Sequence, residues 1–261
     1  MASVTGTTGQ PTEPPSPPRR FARLLRFLAA RVDPKAYLGL HVTVGFAVAA
    51  LALWLFGAVL EEVLDNAAVV QFDVAATAWV QRHTTVAGLR IFEFISWVGS
   101  PVAVAAIAAA VALVLWRQRR RLVLVAWLAA NVGGLMLDQV LKAAVHRARP
   151  VSADARLYIG SFSFPSGHSM GATIGYGMLA YVIANYRRPR GVRPSCIYLA
   201  AAAMILAVGT SRVYLGVHFP TDVLSGFAAG VAWLAICLTG MRIARGAPAA
   251  APPDVPPPGG G

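Results

Sequence analysis

Residues 37–60 read YLGLHVTVGFAVAALALWLFGAVL, a run free of Asp, Glu, Lys and Arg. A helix needs about 20 consecutive apolar residues to cross the hydrocarbon core of a bilayer, so this run predicts a transmembrane helix. Five further runs that are largely apolar follow along the chain: 91–116, 122–145, 168–186, 197–213 and 223–243. The pattern predicts an all-α, integral-membrane bundle of six transmembrane helices.

The composition of the chain agrees with a protein whose surface faces lipid. Of its 261 residues, 57% are hydrophobic and only 13% are charged, and the mean hydropathy is +0.60. The formal net charge is +12, but the basic residues lie in short strips between the apolar runs and form no broad polar surface. We therefore expect membrane lipids as the surroundings of the chain and no nucleic-acid partner.

The charge of the connecting segments predicts the orientation, because segments rich in Lys and Arg stay on the cytoplasmic side. Three basic strips mark that side: 1–36, 117–121 and 187–193. The segment 61–90 has four acidic residues against two Arg residues and is expected outside. Both termini are then cytoplasmic, and the loops 145–166 and 212–222 face outward. A composition rich in Ala and Arg suggests a bacterial cytoplasmic membrane.

The two ends of the chain differ in composition from the apolar region between them. Residues 1–20 and 246–261 are dominated by Pro, Gly, Ser, Thr and Ala and are predicted to be disordered tails. Residues 21–36 have apolar residues at helical spacing among Arg side chains, which is typical of a basic amphipathic juxtamembrane segment. Residues 37–245 form the predicted membrane domain, and the sequence does not indicate an oligomeric state.

The two outward loops and the helix ends beside them contain three short motifs. Written with their numbers, they are Lys142-x6-Arg149-Pro150, Pro165-Ser166-Gly167-His168, and Ser211-Arg212-x5-His218-x3-Asp222. In order and internal spacing they resemble the three signature motifs of the type 2 phosphatidic acid phosphatase superfamily. The resemblance covers roughly residues 40 to 240, including the six-span layout. The family often has a further Pro at the position of Ala148.

The motifs also make chemical sense as a phosphate site. A phosphoryl group in transfer spreads negative charge over its oxygens and needs fixed positive donors around it. The second motif opens the fourth predicted span, so its backbone N–H groups and the positive end of that helix would face the anion. The residues predicted to bind phosphate are Lys142, Arg149, Arg212, Ser166 and Gly167.

The resemblance implies a division of labour between two histidines. His218 would attack phosphorus and form a phosphohistidine, and His168 would protonate the departing oxygen. Asp222 lies four residues after His218, beyond a Pro, and can reach back to hold its imidazole. Asp138 lies one helical turn before Lys142 and is expected to orient it, although a plain structural ion pair is the alternative.

The expected function is a membrane phosphatase that hydrolyses a lipid phosphate monoester or diphosphate at the outer membrane face. Polyprenyl diphosphate, phosphatidic acid and phosphatidylglycerol phosphate are the candidate substrates. One alternative is a phosphotransferase of the same fold with an acceptor other than water. Another is a non-enzymatic membrane protein that binds or moves anionic lipids. The outer segments show no metal-ligand spacing, so neither a metal nor a cofactor is expected.

Overall fold

The computed structural model describes residues 37–150, 161–187 and 191–246, and these ranges are helical without a β-strand. The predicted tails and the basic segment 21–36 lie outside them, apart from Gly246, the last residue of the final helix. The helices are α1 (Tyr37–Asp65), α2 (Ala67–Arg82), α3 (Val86–Val98), α4 (Pro101–Arg117), α5 (Arg121–Val145), α6 (Gly167–Val182), α7 (Pro194–Tyr214) and α8 (Pro220–Gly246).

Five segments of the described chain are long and apolar enough to cross a membrane, against six predicted. They are Leu40–Asp65, Val86–Arg117, Arg121–Val145, Pro194–Tyr214 and Pro220–Gly246. The predicted span 168–186 corresponds to α6 and a π-helical turn, Ile183–Arg187. Helix α6 has 16 residues and packs against α4, α5, α7 and α8. Its Met170 and Met178 are fully buried beside Trp127 of α5, so α6 is the centre of the bundle.

The predicted single span 91–116 is two helices, α3 and α4. The chain breaks between them because Pro101 has no backbone N–H to continue the helical hydrogen bonding. Ser100 caps the new helix, and its Oγ accepts the N–H of Ala103 at 3.2 Å. Pro at the first helical position and Ser at the cap are typical helix-start residues.

The segment 61–90, expected to be an outer loop, is largely helical. The first helix continues to Asp65, and α2 begins after Asn66, whose side chain accepts the N–H of Ala68 at 2.9 Å. Hydrophobic runs did not reveal α2, because it is short and polar residues interrupt it. It packs against α7 and α8 and buries Asp73 and Thr77 in doing so.

Small residues let α8 approach α6 closely. A Cβ atom at Gly226 would lie 2.6 Å from the carbonyl oxygen of Ser166, and one at Gly230 would lie 2.7 Å from Cβ of Thr173. Small residues four apart are a common means of close helix packing in membranes. Across this contact the N–H of Ser166 donates to the carbonyl of Asp222 at 2.9 Å. The contact therefore brings the starts of α6 and α8 together.

We expect Gly226→Leu to push α8 away from α6, because the added side chain has no space at this backbone contact. Overpacking of this kind costs about 1–3 kcal/mol, which corresponds to a thermal unfolding midpoint lowered by roughly 4–10 °C. The measurement is thermal unfolding of the purified protein in detergent. Gly240→Leu on the same helix is the control, since nothing lies within 4 Å of a Cβ there. Equal midpoints for the two variants would contradict the close packing.

Candidate active site

A cavity of about 480 Å³ opens where the three motif segments meet. Its polar end is lined by Lys142 and Arg149 from the first motif, by Gly167 and His168 from the second, and by His218 from the third. Segments far apart in sequence thus present two imidazoles and two cations to one space. The rest of the lining is largely apolar and comes from α4, α5 and α6.

His218 lies in the short connection between α7 and α8 and is only 1% exposed. Gly216 turns the chain there with a φ of 68°, a left-handed conformation that glycine adopts readily. The His218 Nε2 atom lies 2.9 Å from Nη1 of Arg149, and its Nδ1 lies 3.5 Å from Oδ2 of Asp222. Because a guanidinium only donates, Nε2 must carry the lone pair and Nδ1 the proton.

Electrostatics favour the same neutral form of His218. Burial lowers its pKa to about 4, although the neighbouring Asp222 carboxylate acts in the opposite direction. At neutral pH the imidazole is therefore uncharged, and its Nε2, which accepts from Arg149, carries the lone pair that a nucleophile needs. Burial also lowers the pKa of Arg149 from its usual value.

Asp222 is fully buried in the first turn of α8. Its Oδ2 atom accepts the Ser163 hydroxyl at 2.5 Å and the N–H of Phe219 at 2.9 Å, and it faces His218. Its Oδ1 atom accepts Nη1 of Arg147 at 2.6 Å. Multiple donors hold this carboxylate in one orientation and favour its ionised form.

The second motif begins α6, with Ser166 as the N-cap. The Ser166 Oγ atom accepts the Ser169 hydroxyl at 3.0 Å and the Ser169 N–H at 3.4 Å. Since its own N–H donates to Asp222, both polar groups of Ser166 are engaged behind the cavity. This arrangement differs from the predicted phosphate contact of Ser166, whereas Gly167 and the half-buried His168 do line the cavity.

Lys142 and Asp138 are paired on α5 as the one-turn spacing suggested. The Lys142 Nζ atom donates to Oδ2 of Asp138 at 2.7 Å, and both side chains are about nine-tenths buried. A Cβ atom at Gly167 would lie 2.7 Å from Lys142 Nζ and 3.0 Å from each Asp138 carboxylate oxygen. The pair therefore packs directly on the backbone of the second motif, and a side chain at Gly167 would require the pair to move.

The Arg149 guanidinium is held by several acceptors besides His218. It donates to the carbonyl oxygens of Ser161 at 2.7 Å, Val217 at 2.9 Å and Phe162 at 3.1 Å, and to the Ser161 hydroxyl at 3.1 Å. These contacts tie the first motif to the loop before α6 and to the third motif. The positive charge is thus fixed beside His218 Nε2 before any substrate binds.

Arg212 is 4% exposed and is not among the residues that line the cavity. Its guanidinium donates through Nη1 to the Ser96 hydroxyl on α3. Its Nε has no hydrogen-bond acceptor within the part of the chain that the structure describes. Its carbonyl accepts the N–H groups of Val217 at 3.1 Å and His218 at 3.3 Å, so this residue also shapes the loop that carries His218.

Four residues at this site were not among the sequence predictions: Asp73, Arg147, Ser163 and Ser96. Asp73 comes from α2 and pairs with Arg147 through Nη2 at 2.7 Å. Arg147 lies inside the first motif, and its position there could have marked it as a site residue. Nothing in the sequence linked it to Asp73, 74 positions away.

Comparison with known proteins finds a family match for the region that contains all three motifs. The model of the PAP2 superfamily matches residues 122–245. Over these residues, which contain all three motifs, the chain is similar to the PAP2 superfamily. The match begins at α5, so α1 to α4, with Asp73 and Ser96, precede the matched PAP2 segment.

Two curated relatives and one solved structure agree with the PAP2 assignment. Phosphatidylglycerophosphatase B of Bacillus subtilis (strain 168) is 44% identical over 96 residues, which are 37% of this chain and 47% of that protein. Decaprenylphosphoryl-5-phosphoribose phosphatase of Mycolicibacterium smegmatis is 34% identical over 127 residues, 46% of this chain and 61% of that protein. The chain therefore spans only about half to three-fifths of these relatives.

A crystal structure of a transmembrane PAP2-type phosphatidylglycerolphosphate phosphatase from Bacillus subtilis superposes with a TM-score of 0.68. It is 27% identical and covers 73% of this chain and 94% of its own. The PAP2 fold thus extends beyond the segment matched by the family model, into the helices that precede α5.

Proposed function

We propose that this chain is an integral-membrane phosphatase that hydrolyses lipid phosphates through a phosphohistidine on His218. The observation that carries the proposal is a single cavity with two different ends. One end holds two imidazoles and two cations, which suit a phosphate, and the other is apolar, which suits a hydrocarbon tail.

The apolar end runs between α4 and α5. Its walls are formed by Pro101, Val104, Ala105, Ala108, Ala109 and Ala112 of α4 and by Leu128, Val132, Gly134 and Leu135 of α5. From Lys142 back to Leu128, α5 rises about 21 Å at 1.5 Å per residue, about two-thirds of the hydrocarbon thickness. A groove of this length suits the hydrocarbon tail of an amphiphile whose phosphate lies at the membrane boundary.

In the first proposed step, Nε2 of neutral His218 attacks phosphorus, forming an N–P bond while the bond to the lipid oxygen breaks. The bound phosphate anion favours the protonated form of His168, and His168 gives this proton to the departing oxygen, which leaves as the lipid alcohol or phosphate. Lys142 and Arg149 offset the charge on the transferred group. Asp222 accepts from Nδ1–H and stabilises the cation that forms on the ring.

In the second step, His168 takes a proton from water as the water oxygen attacks phosphorus and the N–P bond breaks. Inorganic phosphate leaves, and both histidines return to their starting protonation states. Gly167 offers backbone N–H to the phosphate, and Asp138 orients Lys142. Arg212 adds buried positive charge and holds the loop of His218. Ser166 contributes by capping α6.

The relatives bear phosphatase names that include phosphatidylglycerophosphate and polyprenyl-linked substrates, so we propose lipids of these two kinds as substrates. The charge of the connecting segments supports a site on the periplasmic or outer face of a bacterial cytoplasmic membrane, with both termini inside.

The deciding experiment measures phosphate release by the purified protein in detergent, with EDTA present. The panel contains phosphatidylglycerol phosphate, phosphatidic acid and undecaprenyl diphosphate. We expect release from at least one lipid with no added acceptor. Release that requires an added alcohol would favour a phosphotransferase, and binding without release would favour a lipid-binding protein. Loss of activity with EDTA would contradict the metal-free mechanism.

The low pKa of His218 predicts the acid limb of the pH profile. The protonated imidazole cannot attack, so the reactive neutral form is lost as pH falls through about 4. When the pH is raised, His218 is fully neutral well before pH 6.5. The measurement is kcat/KM against pH, corrected for the separately titrated ionisation of the substrate phosphate. A corrected acid limb near pH 6.5, the usual value for histidine, would contradict burial of the nucleophile.

A further inference from the structure

The Arg147 side chain lies between two buried carboxylates. Its Nη2 donates to Oδ2 of Asp73 at 2.7 Å and its Nη1 to Oδ1 of Asp222 at 2.6 Å. Both Asp side chains are fully buried, and the Arg side chain is 11% exposed. Asp222 in turn faces Nδ1 of His218. Charges therefore alternate along Asp73, Arg147 and Asp222, and this chain of side chains ends at the neutral imidazole of the proposed nucleophile.

Thr221 binds the Asp73 carboxylate and the Arg147 guanidinium. Its N–H donates to Oδ1 of Asp73 at 3.2 Å, its hydroxyl donates to Oδ2 of Asp73, and Nη1 of Arg147 donates to its Oγ1 at 2.9 Å. The start of α8 is thereby fixed to α2. Because this residue directly precedes Asp222, a displacement of Asp73 moves the carboxylate that holds the nucleophile.

Arg147 also decides which oxygen of Asp222 is available to His218. The guanidinium occupies Oδ1, which leaves Oδ2 for the imidazole, the Ser163 hydroxyl and the Phe219 N–H. Without the guanidinium, the carboxylate could rotate between its two oxygens. A shift of about 1 Å in such a group can cost about 10²-fold in rate.

Charge balance gives Arg147 a second task. The charged groups that act on Asp222 are Arg149 on the cavity side and Arg147 behind it, with Asp73 beyond, and His218 joins them only when its ring becomes a cation. Removing the guanidinium leaves two buried carboxylates without the cation that contacts both of them, and such a site disfavours the charged form of Asp222. A protonated Asp222 could no longer stabilise a charged His218.

We propose that Arg147 and Asp73 are positioning residues for the phosphatase reaction: Arg147 keeps Asp222 ionised and oriented toward His218, and Asp73 holds Arg147 in place. This inference rests on the proposed function in that it assigns His218 the attack on phosphorus. It extends the site to α2, which lies outside the segment 122–245 that the PAP2 superfamily matches.

The test compares Arg147→Met, Asp73→Asn and the double variant, with Arg147→Lys as the conservative control. We expect Arg147→Met to lower kcat about 10²-fold with KM changed less than about threefold. Arg147→Lys should recover at least about tenfold of that loss. The double variant should be about tenfold faster than Arg147→Met, because removing the second carboxylate lets Asp222 stay ionised.

A merely structural ion pair gives a different pattern. It would lower the thermal unfolding midpoint, and the double variant would then be no faster than Arg147→Met. That pattern, or a kcat of Arg147→Met within threefold of the wild type, overturns the proposal.

Binding of inorganic vanadate, measured by calorimetry, separates this proposal from the proposed function. Vanadate mimics a phosphoryl group in transfer, so its affinity depends on the arrangement of His218 and Asp222 without any turnover. We expect Arg147→Met to weaken it at least about tenfold and Arg147→Lys to weaken it less. If the wild type binds vanadate but releases phosphate from no lipid, the proposed function fails. Equal vanadate affinity in the wild type and Arg147→Met overturns the positioning role.

Discussion

His218→Gln should lower phosphate release by about 10⁴-fold or more, because it removes the only atom placed to attack phosphorus in the proposed mechanism. Gln is similar in size and polar, so it can still accept from Arg149 and leave the surrounding loop in place. The measurement is initial rate on the best lipid of the panel, together with thermal unfolding in detergent to show that the variant is folded.

The matched control is His83→Gln. His83 is exposed at the end of α2, and its Nδ1 contacts only the Trp79 carbonyl at 2.7 Å among the hydrogen bonds of the described chain. This variant should retain the wild-type rate. A folded His218→Gln protein with more than about a hundredth of the wild-type rate would exclude His218 as the nucleophile.

The variant His168→Gln distinguishes the proposed roles of the two histidines. With a substrate whose leaving group needs no proton, such as p-nitrophenyl phosphate, this variant should still phosphorylate His218 but hydrolyse the adduct about 10²- to 10⁴-fold more slowly. A phosphoprotein stable in alkali and labile in acid should then accumulate. Its absence, when the variant still releases p-nitrophenol in a stoichiometric burst, would contradict a phosphohistidine.

Ala105→Trp should block the apolar end of the cavity. Ala105 is exposed on α4 and lines the space between α4 and α5, and an indole there would fill the path of a lipid tail. We expect kcat/KM for dioleoyl phosphatidic acid to fall about 10²-fold, because binding energy from the remote tail is lost. The rate with glycerol 3-phosphate should change less than about threefold, since this substrate uses only the polar end.

The neighbouring residue supplies the control for the groove. Ala106 is also exposed on α4 but does not line the cavity, so Ala106→Trp should face surrounding lipid and leave both rates unchanged. If Ala105→Trp slowed both substrates equally, the groove would not be the tail site. If it slowed neither, the tail would bind elsewhere on the bundle.

The sequence was informative about helices and motifs for simple physical reasons. Long apolar runs predict spans because lipid offers no hydrogen-bond partner for exposed backbone. Five segments of the described chain are long and apolar enough to cross a membrane. The motifs could be placed near one another because successive spans cross the membrane in opposite directions. The loops that carry the motifs therefore lie on the same face. Conversely, α2 has too many polar residues to stand out from a loop, and the break at Pro101 lies inside a run that is apolar throughout.

By itself, the amino-acid sequence determined that this is a helical membrane protein with basic and imidazole side chains in three motifs at the ends of its spans. Only the tertiary structure decided which of them share the cavity and which stand behind it. Ser166 and Arg212 face neighbouring protein groups, while Asp73 joins Arg147 and Asp222 from a helix that no motif marks. The reason is physical: spacing fixes neighbours within one helix, but the partner of a buried charge depends on how separate helices pack.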